Sequence, residues 1–104
     1  MNYVVANRVY VKPEFCEQFE QRFKNRAGEI DKQEGFVKME VLKPVSEQTP
    51  YVVLTHWQDE AAFKHWVGSE DFKIAHQNPM PKEAFLDGGS MEQHEVVVYA
   101  SSNL

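Results

Sequence analysis

Asn7, Trp66 and His76 are the side chains whose types and settings point to chemistry in this sequence. Asn7 lies in "YVVANRVYV", where alternation puts it on one strand face with Val5, Val9 and Val11. A buried amide without partners costs about 1–3 kcal/mol. It therefore either bonds a loop carbonyl or is aimed into a cavity. Trp66 and His76 share "HWVGSEDFKIAH", residues 65 to 76. Taken alone, Trp66 reads as core, inward with Phe63. His76 follows Phe72 by four residues, so the two share a helical face. Two readings fit His76. It is a satisfied core histidine, or it is a ligand. The ligand role needs a neutral ring with one nitrogen free and the other held by a carbonyl or carboxylate.

Other reactive residue types form no recognisable constellation. His56 falls in a strand, His65 on the outward arc beside Trp66, and His94 at the start of the last strand. No HxH, HExxH or CxxC occurs, which argues against a self-contained zinc site. "DGGS" (87 to 90) reads as a turn or flexible loop tip, not a phosphate loop. Ser69 reads as a helix cap and Cys16 as a small core residue. Glu17, Glu20 and Glu29 read as a solvated helix surface. Arg22 and Arg26 are i,i+4 neighbours flanking an aromatic stripe. Such a pair is solvated, or it holds an anionic group at a cavity mouth.

These residues need elements to position them. Residues 3 to 11 are rich in β-branched and aromatic types and predict a strand. Pro13 suits a first helical turn. Phe15, Phe19, Phe23, Ala27 and Ile30 then recur at steps of four and three, which predicts an amphipathic helix of roughly five turns. Gly35 is its expected stop. Further strands are expected at 36 to 42, 51 to 58 and 94 to 100, with a polar hairpin loop at 43 to 50. Asp59 caps a helix over "EAAFKHWV", Gly68 interrupts it, and Ser69 caps a second over "EDFKIAH". Residues 77 to 91 read as a long loop of functional or mobile character. The order β-α-β-β-α-β predicts a ferredoxin-like α+β sandwich, an antiparallel sheet with helices on one face.

"YVVL" and "VVVYA" are apolar at consecutive positions, whereas a sheet with one wet face alternates. Two helices cover only one face. The other is expected to meet a second copy of the chain, giving a homodimer with its sheets packed as a dimeric α+β barrel. With 104 residues the chain is expected to be one domain, 1–104. A formal charge of -5 argues against a nucleic-acid surface. No apolar run approaches the roughly 20 residues of a membrane span, and no signal-peptide pattern opens the sequence. One cysteine forms no internal disulfide, so a cytoplasmic setting is the simplest expectation.

"ANR" around Asn7, "GF" at 35 to 36 and "AFKHWVGSEDFKIAH" at 62 to 76 carry a resemblance. The chain resembles the antibiotic-biosynthesis-monooxygenase (ABM) superfamily, and within it the IsdG-type haem-degrading monooxygenases. The resemblance covers nearly the whole chain in element order. It implies that His76 is the proximal haem-iron ligand, that Asn7 hydrogen-bonds dioxygen on the distal side, and that Trp66 presses the macrocycle out of plane. Neutral imidazole suits iron. An uncharged amide donates a hydrogen bond without supplying a proton, and a rigid indole distorts a ring where a flexible side chain yields. Phe23 and Phe63 become apolar contacts to the ring, and Arg22 or Arg26 approaches a propionate. The implied reaction opens haem with dioxygen and electrons from an external donor, an unidentified reductase, releasing iron and a linear tetrapyrrole. Haem is then both substrate and cofactor. The segment 77 to 91 becomes a rim or lid.

The Gly68-Ser69 break has a geometric use in that setting. On one straight helix, ten residues at about 100° each leave Trp66 and His76 about 80° apart around the axis. A break lets both point into one cavity. Two alternatives share the same pocket: a cofactor-independent ABM monooxygenase acting on an aromatic polyketide or quinol, and a non-catalytic haem carrier or sensor.

Overall fold

The computed structural model describes residues 3–26 and 28–103. Four antiparallel strands, β1 (Tyr3–Val11), β2 (Phe36–Leu42), β3 (Tyr51–Trp57) and β4 (Phe85–Glu95), form one sheet in the order β2-β3-β1-β4. Helices α1 (Cys16–Lys24), α2 (Glu60–Val67) and α3 (Glu70–Ala75) connect and cover them. This is the expected ferredoxin-like βαββαβ order. No helix among the described residues is long and apolar enough to cross a membrane.

Register decides which residues face the helices. Tyr3, Val5, Asn7 and Val9 stand opposite Trp57, Thr55, Val53 and Tyr51. Tyr3, Val5, Ile30, Trp57 and Trp66 form the buried core cluster, with Phe36, Ala62, Phe63 and Phe72 packed against it. Each large apolar side chain buried there contributes about 1.5–3 kcal/mol. The intervening residues Val4, Ala6 and Arg8 stand opposite His56, Leu54 and Val52 on the outer face. That face is an apolar band crossed by charge: Arg8 Nε binds Glu92 Oε1 at 2.7 Å, and His56 Nε2 lies 3.3 Å from Glu40 Oε1.

Both short helices begin where their caps predict. Asp59 Oδ1 accepts from the Ala62 amide at 2.8 Å, and Ser69 Oγ accepts from the Phe72 amide at 3.1 Å. Gly35 takes φ +84° just before β2, and a Cβ there would meet the Ala62 Cβ at 2.5 Å. Its glycine is required by a close approach as well as by its dihedral.

Four expectations need correction. The first helix is much shorter than five turns. A 3-10 turn at Pro13–Phe15 leads into α1, which ends at Lys24. Gly28 then turns the chain with φ +84°, and a separate 3-10 turn, Ile30–Lys32, returns Ile30 to the core. An apolar period continued across a turn mimics one helix. Ala27 lies outside the described residues.

The last strand is not 94 to 100. It runs over Phe85–Glu95, because β1 supplies its pairing partners from Val11, opposite Phe85, to Tyr3, opposite Glu95. Residues 96 to 100 extend past Tyr3 with no regular structure, leaving Val97, Val98 and Tyr99 89%, 82% and 71% exposed.

"DGGS" is consequently a strand segment and not a loop tip. Gly88 adopts φ +102° where the β1–β4 register shifts between Arg8 and Tyr10. Gly89 packs so closely that a Cβ would lie 2.9 Å from the Arg8 carbonyl oxygen. The glycines serve a bulge, which reads in sequence like a turn. Only 76 to 84 remain between α3 and β4, including a 3-10 turn at Lys82–Ala84, so a lid over 77 to 91 is not available.

Candidate functional site

The helices pack aromatic side chains over the two ends of the sheet's inner face. Over one end, α1 sets Phe19 against Tyr51 at 4.8 Å and against Phe23 at 5.1 Å between ring centroids. Over the other end, α2 sets Phe63 against Tyr3 and Trp57, each at 5.9 Å. Tyr3 and Val9 are six residues apart on β1, roughly 20 Å of strand. Between them the inner face carries Asn7, Val53 and Val41 in one cross-strand row, then Val5, Thr55 and Met39 in the next. A cavity of about 280 Å³ opens on the α1 side, lined by Glu20, Phe23, Lys24, Met39, Val41, Lys43 and Tyr51.

Asn7 is half-buried, and its side chain has no hydrogen-bond partner among the described residues. The loop-carbonyl reading of this amide therefore finds no support in the contacts. Its donor faces the same side of the sheet as the cavity floor.

His76 caps the C-terminus of α3 and is exposed. Its Nδ1 lies 2.8 Å from the Phe72 carbonyl oxygen. A carbonyl only accepts, so Nδ1 carries a proton, and in the neutral ring the lone pair lies on Nε2. Nε2 has no partner among the described residues, and ring geometry directs it away from its own helix. This is the protonation pattern that a metal-ligating imidazole requires.

Trp66 is buried on α2. It meets Phe72 edge-on at 5.4 Å, and Phe72 stacks on His76 at 4.1 Å. Trp66 also shares the core cluster with Val5, two residues before Asn7 on the same face. Trp66 and His76 thus meet through Phe72, whereas Asn7 shares with them only its sheet face beside the core cluster, and none of the three lines the cavity. Phe23 lines the cavity. Phe63 packs on Tyr3 and Trp57 within the core. Arg22 is half-buried. Arg26 is exposed and already grips both Asp31 carboxylate oxygens, at 2.8 and 3.0 Å.

The cavity wall contains a polar group that reads in sequence as plain helix surface. Glu20 Oε2 accepts from the Tyr51 hydroxyl, and Lys43 Nζ lies 3.3 Å away. These contacts, the Tyr51 bond foremost, hold the Glu20 carboxyl below its usual range. Burial and the Glu20 bond push the Tyr51 phenol up. Met39, Val41 and Val53 alternate toward the helices on their strands, a signal sufficient to place them on the inner face. The Phe72 carbonyl leaves no sequence signal, since every residue carries one.

A family model described as antibiotic biosynthesis monooxygenase matches residues 2–78, a span running from before β1 past His76. The chain belongs to the antibiotic biosynthesis monooxygenase family. Among curated relatives, a haem oxygenase (staphylobilin-producing) from Staphylococcus haemolyticus is 41% identical over 78 residues, covering 73% of this chain and 74% of its own. A haem oxygenase (mycobilin-producing) from Mycobacterium tuberculosis is 30% identical over 98 residues, covering 94% and 91%. A solved structure, the haem-degrader MhuD from Mycobacterium tuberculosis with two haems bound in its active site, superposes with a TM-score of 0.78 at 28% identity. That superposition covers 95% of this chain and 99% of the other.

Proposed function

We propose that this chain is an IsdG-type haem-degrading monooxygenase that opens the porphyrin ring and releases iron. The observation that carries the reading is the His76 ring, whose Nδ1 is held by the Phe72 carbonyl while Nε2 is free. A single imidazole supplies one ligand, which suits iron already held by a macrocycle. The unpartnered Asn7 amide and the apolar cavity lining of Phe23, Val41 and Met39 support the fit. When bound, haem supplies the oxygen chemistry, with dioxygen as oxidant and electrons from an external reductase.

The chain's own residues have distinct tasks in this reading. His76 Nε2 would hold the haem iron. Asn7 offers a neutral donor that orients oxygen without surrendering a proton. Trp66, backed by Val5, Ile30 and Trp57, is too firmly packed to yield to a planar ring pressed against it. Phe23 walls the ring on the α1 side, and Arg22 is better placed than the Asp31-bound Arg26 to meet a propionate.

We also propose that residues 1–104 act as one domain and that the outer sheet face is covered by a second copy in the cytoplasm. The apolar band of Val4, Ala6, Leu54 and Val52 and the exposed Val97, Val98 and Tyr99 support the pairing.

Hemin titration of the purified protein tests the function. A Soret band that His76→Ala abolishes is expected, followed by loss of the band and appearance of a free tetrapyrrole when a reductant is added in air. No binding at micromolar hemin overturns the reading, and a stable reduced complex in air reduces it to a carrier.

A further inference from the structure

Ser69 does more than cap a helix. Its amide donates to the Trp66 carbonyl at 3.0 Å, and its Oγ donates to the same carbonyl at 2.7 Å. The same Oγ accepts from the Phe72 amide at 3.1 Å. One hydroxyl thus ties the last turn of α2 to the first turn of α3. Gly68 between them has φ -87° and ψ 1°, a conformation that leaves the helical path.

The residues at the two ends of this bridge are the ones that matter. Trp66 supplies the carbonyl. Phe72 supplies the amide, and its own carbonyl accepts from both the His76 amide at 3.1 Å and His76 Nδ1 at 2.8 Å. The ring contacts run in parallel, Trp66 on Phe72 and Phe72 on His76. With only six residues, α3 is too short to hold a direction by itself. Its start is fixed from one side by Ser69. From the other, Gln33 Nε2 donates to Asp71 Oδ2 at 2.9 Å and to the Glu29 carbonyl at 3.1 Å.

We propose that Ser69 is a positioning residue whose bridging hydroxyl sets the angle between α2 and α3, and so the placement of His76 relative to Trp66. The functional consequence rests on the haem reading; the geometric one does not. A cap needs only an acceptor. A bridge needs an acceptor and a donor on the same atom. Aspartate accepts well at an N-cap, as Asp59 does here, yet has no proton for the Trp66 carbonyl at neutral pH. Threonine keeps both functions.

The test compares Ser69→Asp, Ser69→Thr and Ser69→Ala by three measurements: thermal midpoint, the nuclear Overhauser contact between the Trp66 and Phe72 rings in haem-free protein, and hemin affinity. Ser69→Asp is expected to keep its midpoint while the ring contact weakens severalfold and hemin affinity falls about tenfold or more. Ser69→Thr restores both. Wild-type contact and affinity in Ser69→Asp overturn the proposal, because capping alone then suffices. Equal defects in Ser69→Thr also overturn it. Should Ser69→Asp fail to fold, a wild-type ring contact in Ser69→Ala, which has no hydroxyl to donate to the Trp66 carbonyl, overturns the proposal. If wild-type protein binds no hemin, the haem reading fails while the ring contact still decides the bridge.

Discussion

The His76 Nδ1 nitrogen lies 2.8 Å from the carbonyl oxygen of Phe72, one helical turn earlier. The bond fixes the tautomer from the backbone, so no second side chain has to be recruited for it. Replacing the ring and returning it in solution separates ligation from packing. His76→Gly is expected to lose the Soret band of bound hemin, and added imidazole to restore it. A variant that binds hemin normally without imidazole removes His76 from the iron.

Asn7 offers a neutral donor on a strand whose neighbours Val5 and Val53 carry none. Asn7→Ala is expected to bind hemin much as the wild type does and to turn it over about a hundredfold more slowly, the scale of losing one preorganised donor. Single-turnover decay of the Soret band in air with reductant measures this. Undiminished decay rates dismiss the amide from the reaction.

Glu20 supports the cavity wall through Tyr51 and Lys43. Its pKa in the folded chain lies below the ordinary 4.5, owing first to the Tyr51 hydroxyl and then to Lys43. A depressed folded value means that the stabilisation is present above the unfolded value and is lost as pH falls through the folded one. Wild type is expected to melt above Glu20→Gln at pH 7, and the gap to close only below the ordinary carboxylate value. Thermal melts from pH 7 to pH 3 follow it, and a gap that persists under full protonation contradicts the assignment.

Gly35 has both a left-handed dihedral and the Ala62 Cβ only 2.5 Å from where its own Cβ would stand. Gly35→Ala is expected to cost about 1–3 kcal/mol in urea unfolding. Neutral behaviour would mean that the turn before β2 relaxes freely.

The outer sheet face is tested by mass. Sedimentation is expected to give twice the chain mass, and Leu54→Arg to halve it by placing an unpaired charge in the apolar band. A wild-type mass of one chain refutes the pairing.

Strand alternation and helix caps were readable because they depend on neighbours in sequence. Asn7 was assigned its face from Val5 and Val9, and Asp59 and Ser69 their roles from position alone. Local pattern misleads where tertiary partners override it. Gly88 and Gly89 look like a turn until Arg8 is seen beside them, and "VVVYA" looks like a strand until β1 is found to begin at Tyr3. In the site, residue types at Asn7, Trp66 and His76 were legible, whereas the Phe72 carbonyl and the Tyr51–Glu20–Lys43 group required three dimensions.

The burial of Trp57 at 0% and Trp66 at 5% exposure makes the protein its own optical gauge. These are its only two indoles, both inside one cluster beneath α2. Their emission should be blue-shifted while that cluster is intact and move to the red when water reaches it. A strongly absorbing pigment entering the adjoining cleft would instead darken the emission without moving its colour. A single unlabelled sample therefore distinguishes unfolding from occupancy, by hue in one case and by brightness in the other.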